Sequence, residues 1–263
     1  MSDPFAQEVE RRAYQQRLDV FVSSREAALR LTADGLGDEV SLTRLIETAA
    51  DLAGYADQAI AIVRDEYRPR LDCKEGCSYC CQKPGVLVTP AELLRIIKHV
   101  WALDEAALAS VAQRARSYVE HLAGGSFDEP TAESFPCPLL RDNRCSVYDI
   151  RPLTCRGYNS TSVEACKGAL ASPEVMVPLF ALIKDVTDGA TVGTATALRA
   201  IGFNDALVDL GTALHIGLEH GAGFADAVAN GADALRLAEN PTWVDALWHQ
   251  VRDTARQIGI ELK

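Results

Sequence analysis

The chain has 263 residues, a formal net charge of −11, 48% hydrophobic and only 6% aromatic content. That length can bury a substantial apolar core without the cross-links that very small domains need. The acidic balance argues against binding duplex nucleic acid or anionic lipid, and no run of 18 or more apolar residues marks a membrane span.

Plentiful alanine and leucine with few aromatic residues predict a mainly α fold. The expected architecture is one helical, bundle-like domain over residues 1–263, with an irregular cysteine-rich metal-binding insert at about 71–168. The first residues, Met1 to Phe5, lack the basic and apolar regions of a secretory signal. The expected location is therefore a reducing cytoplasm.

The elements follow in chain order. Phe5, Val9, Tyr14, Leu18 and Phe21 recur at helical spacing until Gly35 and Gly37 break the pattern. Ser41 can cap a second helix, whose apolar positions run from Leu42 through Leu45, Leu52, Ala56, Ile60 and Val63 to Tyr67. Pro69 ends it and delivers the chain to Cys73. Val86-Leu87-Val88 reads as a short strand, and Thr89-Pro90-Ala91-Glu92 as a capped helix start running to about Trp101. Asp104 can cap a further helix to about Leu122, stopped by Gly124 and Gly125. Residues from about 126 to 168 read as loop, a length that needs something to hold it. Beyond Pro173 the pattern is helical again, with Leu207, Leu210, Leu214 and Leu218 among its apolar positions and Gly202, Gly221, Gly231 and Pro241 as breaks.

All eight cysteines fall between Cys73 and Cys166. Cys73, Cys77, Cys80 and Cys81 form a C-x3-C-x2-C-C knot; Cys137, Cys145, Cys155 and Cys166 follow at wider spacing. A disulfide framework is disfavoured by the expected compartment and by the strain of bonding adjacent Cys80 and Cys81. Metal ligation explains the clustering. Two residues between cysteines let both sulfurs face one ion, Gly76 allows the tight turn, and loop amides can point at the sulfurs. All eight are candidate ligands. Residues 137–168 hold five basic and three acidic residues, against the sign of the whole chain. Arg151 and Arg156 are the candidates to donate to sulfur, to a bound cofactor or to a nearby carboxylate. Tyr148 can pack over the site or within the core.

These motifs resemble the YkgJ-type cysteine-cluster proteins, which are described by a zinc- or iron-chelating domain. The resemblance rests on the knot at 73–81, Val86 to Glu92, Cys137-Pro138-Leu139-Leu140, Cys145-Ser146-Val147-Tyr148 and Arg151 to Arg156. It covers about residues 71–168 and implies a bound metal. Flagellin lysine N-methylases carry a similar cluster, which extends the expectation to methyl transfer.

Iron–sulfur and zinc both accept all-cysteine ligation. Only Cys77 and Cys80 form the paired knuckle usual for zinc, and the vicinal Cys80-Cys81 suits a multinuclear centre. The reading is therefore an iron–sulfur cluster, with [4Fe–4S] as one form, or Zn2+ as the alternative. The x3 and x2 spacing also matches radical S-adenosylmethionine enzymes, but the alternating strands of their barrel are missing from the pattern. His99, His121, His215, His220 and His249 have no ligand spacing, and no nucleotide-binding, zinc-protease or hydrolase motif is present. The expected function is a metal-binding protein with a redox or group-transfer role, or a structural or metal-handling protein without catalysis. A metal ion is the expected partner, with no nucleic acid and no membrane; the pattern indicates no particular reaction or protein partner.

Overall fold

The computed structural model describes residues 4–37, 40–83, 85–122, 134–172, 174–221, 223–230, 235, 239–240 and 243–257. Helix α1 (Pro4–Leu36) ends at Gly37, whose φ of +56° turns the chain. Helix α2 (Leu42–Tyr67) begins under Ser41, whose hydroxyl accepts from the Arg44 amide at 3.3 Å. It stops at Arg68, in the left-handed conformation just before Pro69. Strand β1 (Leu87–Val88) leads to α3 (Pro90–Trp101) through Thr89. The expected capping box is complete: the Thr89 hydroxyl accepts from the Glu92 amide and the Glu92 carboxylate accepts from the Thr89 amide. The Asp104 carboxylate accepts from the Ala107 amide at the start of α4 (Glu105–Leu122). Gly124, Gly125, Pro173, Gly231 and Pro241 lie outside the described residues.

Of the segment expected to be loop, residues 126–133 lie outside the described residues, and the rest carries short regular elements instead. Strands β2 (Leu140–Arg141) and β3 (Arg144–Cys145) form a two-residue hairpin, with Asp142 and Asn143 both at positive φ. Helix α5 (Leu153–Gly157) holds Cys155, and α6 (Val163–Ala171) holds Cys166. Their brevity hid them: five and nine residues are too few for a clear period.

Helix α7 (Ala181–Ala200) packs lengthwise on α1. Leu207 belongs not to a helix but to strand β4 (Leu207–Asp209), which precedes α8 (Leu210–His220). β4 pairs antiparallel with β1 on one side and with β5 (Glu239–Asn240) on the other. Helices α9 (Gly223–Ala229) and α10 (Trp243–Gln257) complete a mainly helical structure. The largest apolar core gathers residues of α2, α3, α4, α8 and α9, among them Leu45, Leu94, Val111 and Leu214. Among the described residues no helix is long and apolar enough to cross a membrane.

Candidate metal centre

The cysteine segments are tied to each other and to the helical frame by backbone hydrogen bonds. Past α2, the amides of Asp72 and Cys73 donate to the Ser160 carbonyl at 3.0 and 3.4 Å. The knot then turns at Gly76, with φ +83°, and the Cys77 amide donates to the Lys74 carbonyl. A single 3-10 turn carries Cys80 and Cys81. The decisive link comes next: the Cys137 amide donates to the Cys81 carbonyl at 2.7 Å. It locks the second cysteine segment onto the first across 56 residues of chain.

The β2–β3 hairpin sets Cys145 opposite Leu140. Helix α5 is held from three sides. The Leu153 amide donates to the Glu92 carboxylate at 2.7 Å, and the Thr154 hydroxyl donates to the Leu87 carbonyl at 2.7 Å. The buried Arg156 guanidinium pairs with Asp57 of α2 and donates to the carbonyls of Arg151 and Asp149. Of the alternatives for Arg156, the structure therefore shows the carboxylate partner. Arg151 donates to the Tyr148 carbonyl and stacks over the Tyr148 ring at 4.1 Å. Burial raises the Cys145 thiol above its ordinary value, and the Arg151 charge offsets part of that rise.

All eight cysteines are free of disulfides. Cys166 is buried and the other seven are half-buried. Seven of them line two adjoining cavities. The larger, about 270 Å3, is walled by Cys80, Cys81, Cys137, Cys145 and Cys155, with Val86, Leu139, Val147 and Leu210 as its apolar lining and Lys83 at its margin. The smaller, about 100 Å3, is walled by Cys73, Cys77, Cys80, Cys81, Cys145 and Cys155, and by Arg64, Lys74, Arg151 and Tyr148. Cys166 lies outside both walls but within electrostatic reach of Cys73.

Backbone amides already point at several sulfurs. Cys73 Sγ accepts from the Ser160 amide at 3.3 Å; the Leu139 amide serves Cys137, and the Val147 amide serves Cys145. Hydrogen bonds of this kind stabilise thiolates in metal sites. Burial opposes them. It pushes the Cys137 thiol up to about 12, and drives Cys155 well above the ordinary thiol range. The Cys80 thiol is raised by its contact with Cys81 first and by burial second. A metal would have to displace these protons.

The donor set suits a soft metal: sulfur ligands, amides aimed at them and an apolar wall. Among the described residues, no three Cys, His, Asp or Glu donors are already closed on one point. Cys80 and Cys81 come closest, with their sulfurs 4.0 Å apart. Two sulfurs at about 2.3 Å from a tetrahedral ion stand about 3.8 Å apart. The rest of a coordination sphere requires side-chain rotation.

The spacing pattern missed the groups that shape this region from afar. Asp57 on α2 holds Arg156 from 99 positions away. Behind the larger cavity, buried Asp209 accepts from the Tyr118 hydroxyl at 2.9 Å and from the Thr212 amide and hydroxyl, both at 2.8 Å. The Gly85 amide in turn donates to Tyr118 Oη at 3.0 Å. Only the acid beginning a helix, Asp209, carried a local signal.

Residues 72–173 match the family model CxxCxxCC, described as a "Putative zinc- or iron-chelating domain". The matched segment contains all eight cysteines. No curated protein and no solved structure matches the chain.

Proposed function

From the match of residues 72–173 to a zinc- or iron-chelating domain, and from the gathering of its thiols, we propose that this chain binds metal through cysteine thiolates as an iron–sulfur protein. The candidate ligands are Cys73, Cys77, Cys80, Cys81, Cys137, Cys145, Cys155 and Cys166. One observation carries the choice of cluster over single ion: five thiols wall a largely apolar cavity of about 270 Å3. A mononuclear tetrahedral ion needs no such space, because its four sulfurs close to about 3.8 Å of one another. Bound there, an iron–sulfur cluster would supply one-electron redox chemistry or an electrophilic iron for group transfer.

The chain's own residues have definable tasks. The amides of Ser160, Leu139 and Val147 stabilise sulfur charge at Cys73, Cys137 and Cys145. Val86, Leu139, Val147 and Leu210 give the larger cavity an apolar wall. Arg151 offsets negative charge beside Cys145. Arg156 acts as an anchor, fixing α5, and with it Cys155, to α2.

A zinc-binding structural or metal-handling role is the second reading. It is favoured by the 4.0 Å sulfur separation at Cys80 and Cys81, close to the spacing on a tetrahedral ion. Anaerobic purification followed by iron, zinc and acid-labile sulfide analysis separates the two. Iron with sulfide and a visible charge-transfer band supports the cluster. Stoichiometric zinc without sulfide supports the second reading. Eight titratable thiols in a folded chain that takes up neither metal would defeat both.

A further inference from the structure

The two cavities do not share all their thiols. Cys137 lines only the larger one, whereas Cys73 and Cys77 line only the smaller. Cys80, Cys81, Cys145 and Cys155 line both and form the partition between them. We infer that the cysteine region holds two separate metal positions, an inner one reached by Cys137 and an outer one reached by Cys73 and Cys77, with the partition thiols divided or bridging between them. This rests on the metal-binding reading and extends it to the number and character of the sites.

Three observations carry the division. Seven thiols line the two cavities, three more than the four that one tetrahedral ion takes. The chain supplies the exclusive thiols from different places: Cys73 and Cys77 from the turn after α2, Cys137 from the segment before β2. The surroundings also differ in kind. The larger cavity is walled mostly by apolar groups, with Lys83 as its cation. The smaller meets Arg64, Lys74, Arg151 and the Asp57-paired Arg156, and the first three have no carboxylate partner within 4.0 Å among the described residues. A polar, cation-rimmed position exchanges with solvent more readily than an apolar one. The inner position is thus the retained metal and the outer one the exchangeable metal.

The test uses the full chain, stripped of metal under reducing anaerobic conditions and titrated with Co2+ alone. Its thiolate charge-transfer band counts equivalents. Two equivalents are expected, and transfer to a chromophoric chelator should be biphasic, with the phases differing about tenfold or more in rate. The Cys73→Ser/Cys77→Ser variant should keep one equivalent and the slow phase. Cys137→Ser should keep one equivalent and the fast phase. Circular dichroism checks the fold of each variant, and the biphasic release from the unaltered chain stands independently of them. One equivalent with a single release phase overturns the two-position inference while leaving the metal-binding reading intact. Loss of all metal from a folded Cys73→Ser/Cys77→Ser variant overturns it as well. No Co2+ uptake by the unaltered chain overturns both.

Discussion

Arg156 and Arg151 sit five residues apart, yet they do different work. The Arg156 guanidinium is almost wholly buried and satisfied by Asp57 and two carbonyls. Arg156→Met removes that charge and strands the Asp149 and Arg151 carbonyls. The expected cost is about 3 kcal/mol in urea unfolding of the metal-free chain, since buried acceptors left unpaired cost about 1–3 kcal/mol each and Asp57 remains half in water. A change below about 1 kcal/mol contradicts the anchoring role. Cys137 allows a prediction with a definite sign. Its folded-state thiol titrates near 12, against 9.0 for an ordinary thiol. Between those values the unfolded chain has released a proton that the folded chain retains. Stability of the metal-free chain should therefore fall as pH rises from about 9 towards 12. Thiolate absorbance at about 240 nm should show one fewer late-titrating group in a Cys137→Ser variant; an unchanged profile would reject the assignment.

Two elements are held by contacts that can be probed singly. Glu92, buried near the start of α3, accepts from the Thr89 amide and hydroxyl, both at 2.9 Å, and from the Leu153 amide of α5 at 2.7 Å. One carboxylate thus caps two helices. Glu92→Gln turns one acceptor into a donor facing an N–H group. We expect a loss of about 2 kcal/mol and faster amide exchange at α5, measured by hydrogen–deuterium exchange. Equal exchange in both proteins would show that α5 is held without it. On α7, a Cβ at Gly193 would lie 2.1 Å from the Arg25 carbonyl oxygen of α1, and one at Gly189 would lie 2.3 Å from that of Phe21. Alanine gains about 1 kcal/mol of helix propensity, but a backbone oxygen cannot rotate away. Gly193→Ala should therefore lower the melting temperature despite its better propensity, the overpacking cost being about 1–3 kcal/mol. A raised melting temperature would mean that α1 and α7 can separate freely.

Across the whole molecule, the apolar core reaches into the cysteine region, where Leu139 and Val147 belong to it and Cys137 and Cys145 pack against it, but most of it lies between helices. Core residues such as Leu45, Leu94, Ile97 and Leu214 are fully buried among helices that need no thiol to associate. Metal removal should leave the far-ultraviolet dichroism largely unchanged while lowering the melting temperature, because a ligand bound only by the folded state adds its binding free energy to stability. Collapse of the helical signal on chelation would instead make the metal a condition of folding, as in small zinc domains.

Much of this was legible in residues close together along the chain. The eight cysteines, the turn at Gly76, the Ser41, Thr89 and Asp104 caps and the end of α2 before Pro69 all depend on local chemistry, which spacing and side-chain type express directly. The helices α5 and α6 were not legible, being too short for a period to emerge. Strand β4 was missed because Leu207 and Val208 are both apolar, and only pairing with Leu87 and Val88 makes them a strand. Asp57 meeting Arg156, the Cys137 amide donating to the Cys81 carbonyl and the division of the thiols between two cavities join residues tens of positions apart. Local sequence determines which groups are available and how each short segment bends. Which of them meet depends on how the helices pack, and here that packing alone decides which thiols face which cavity.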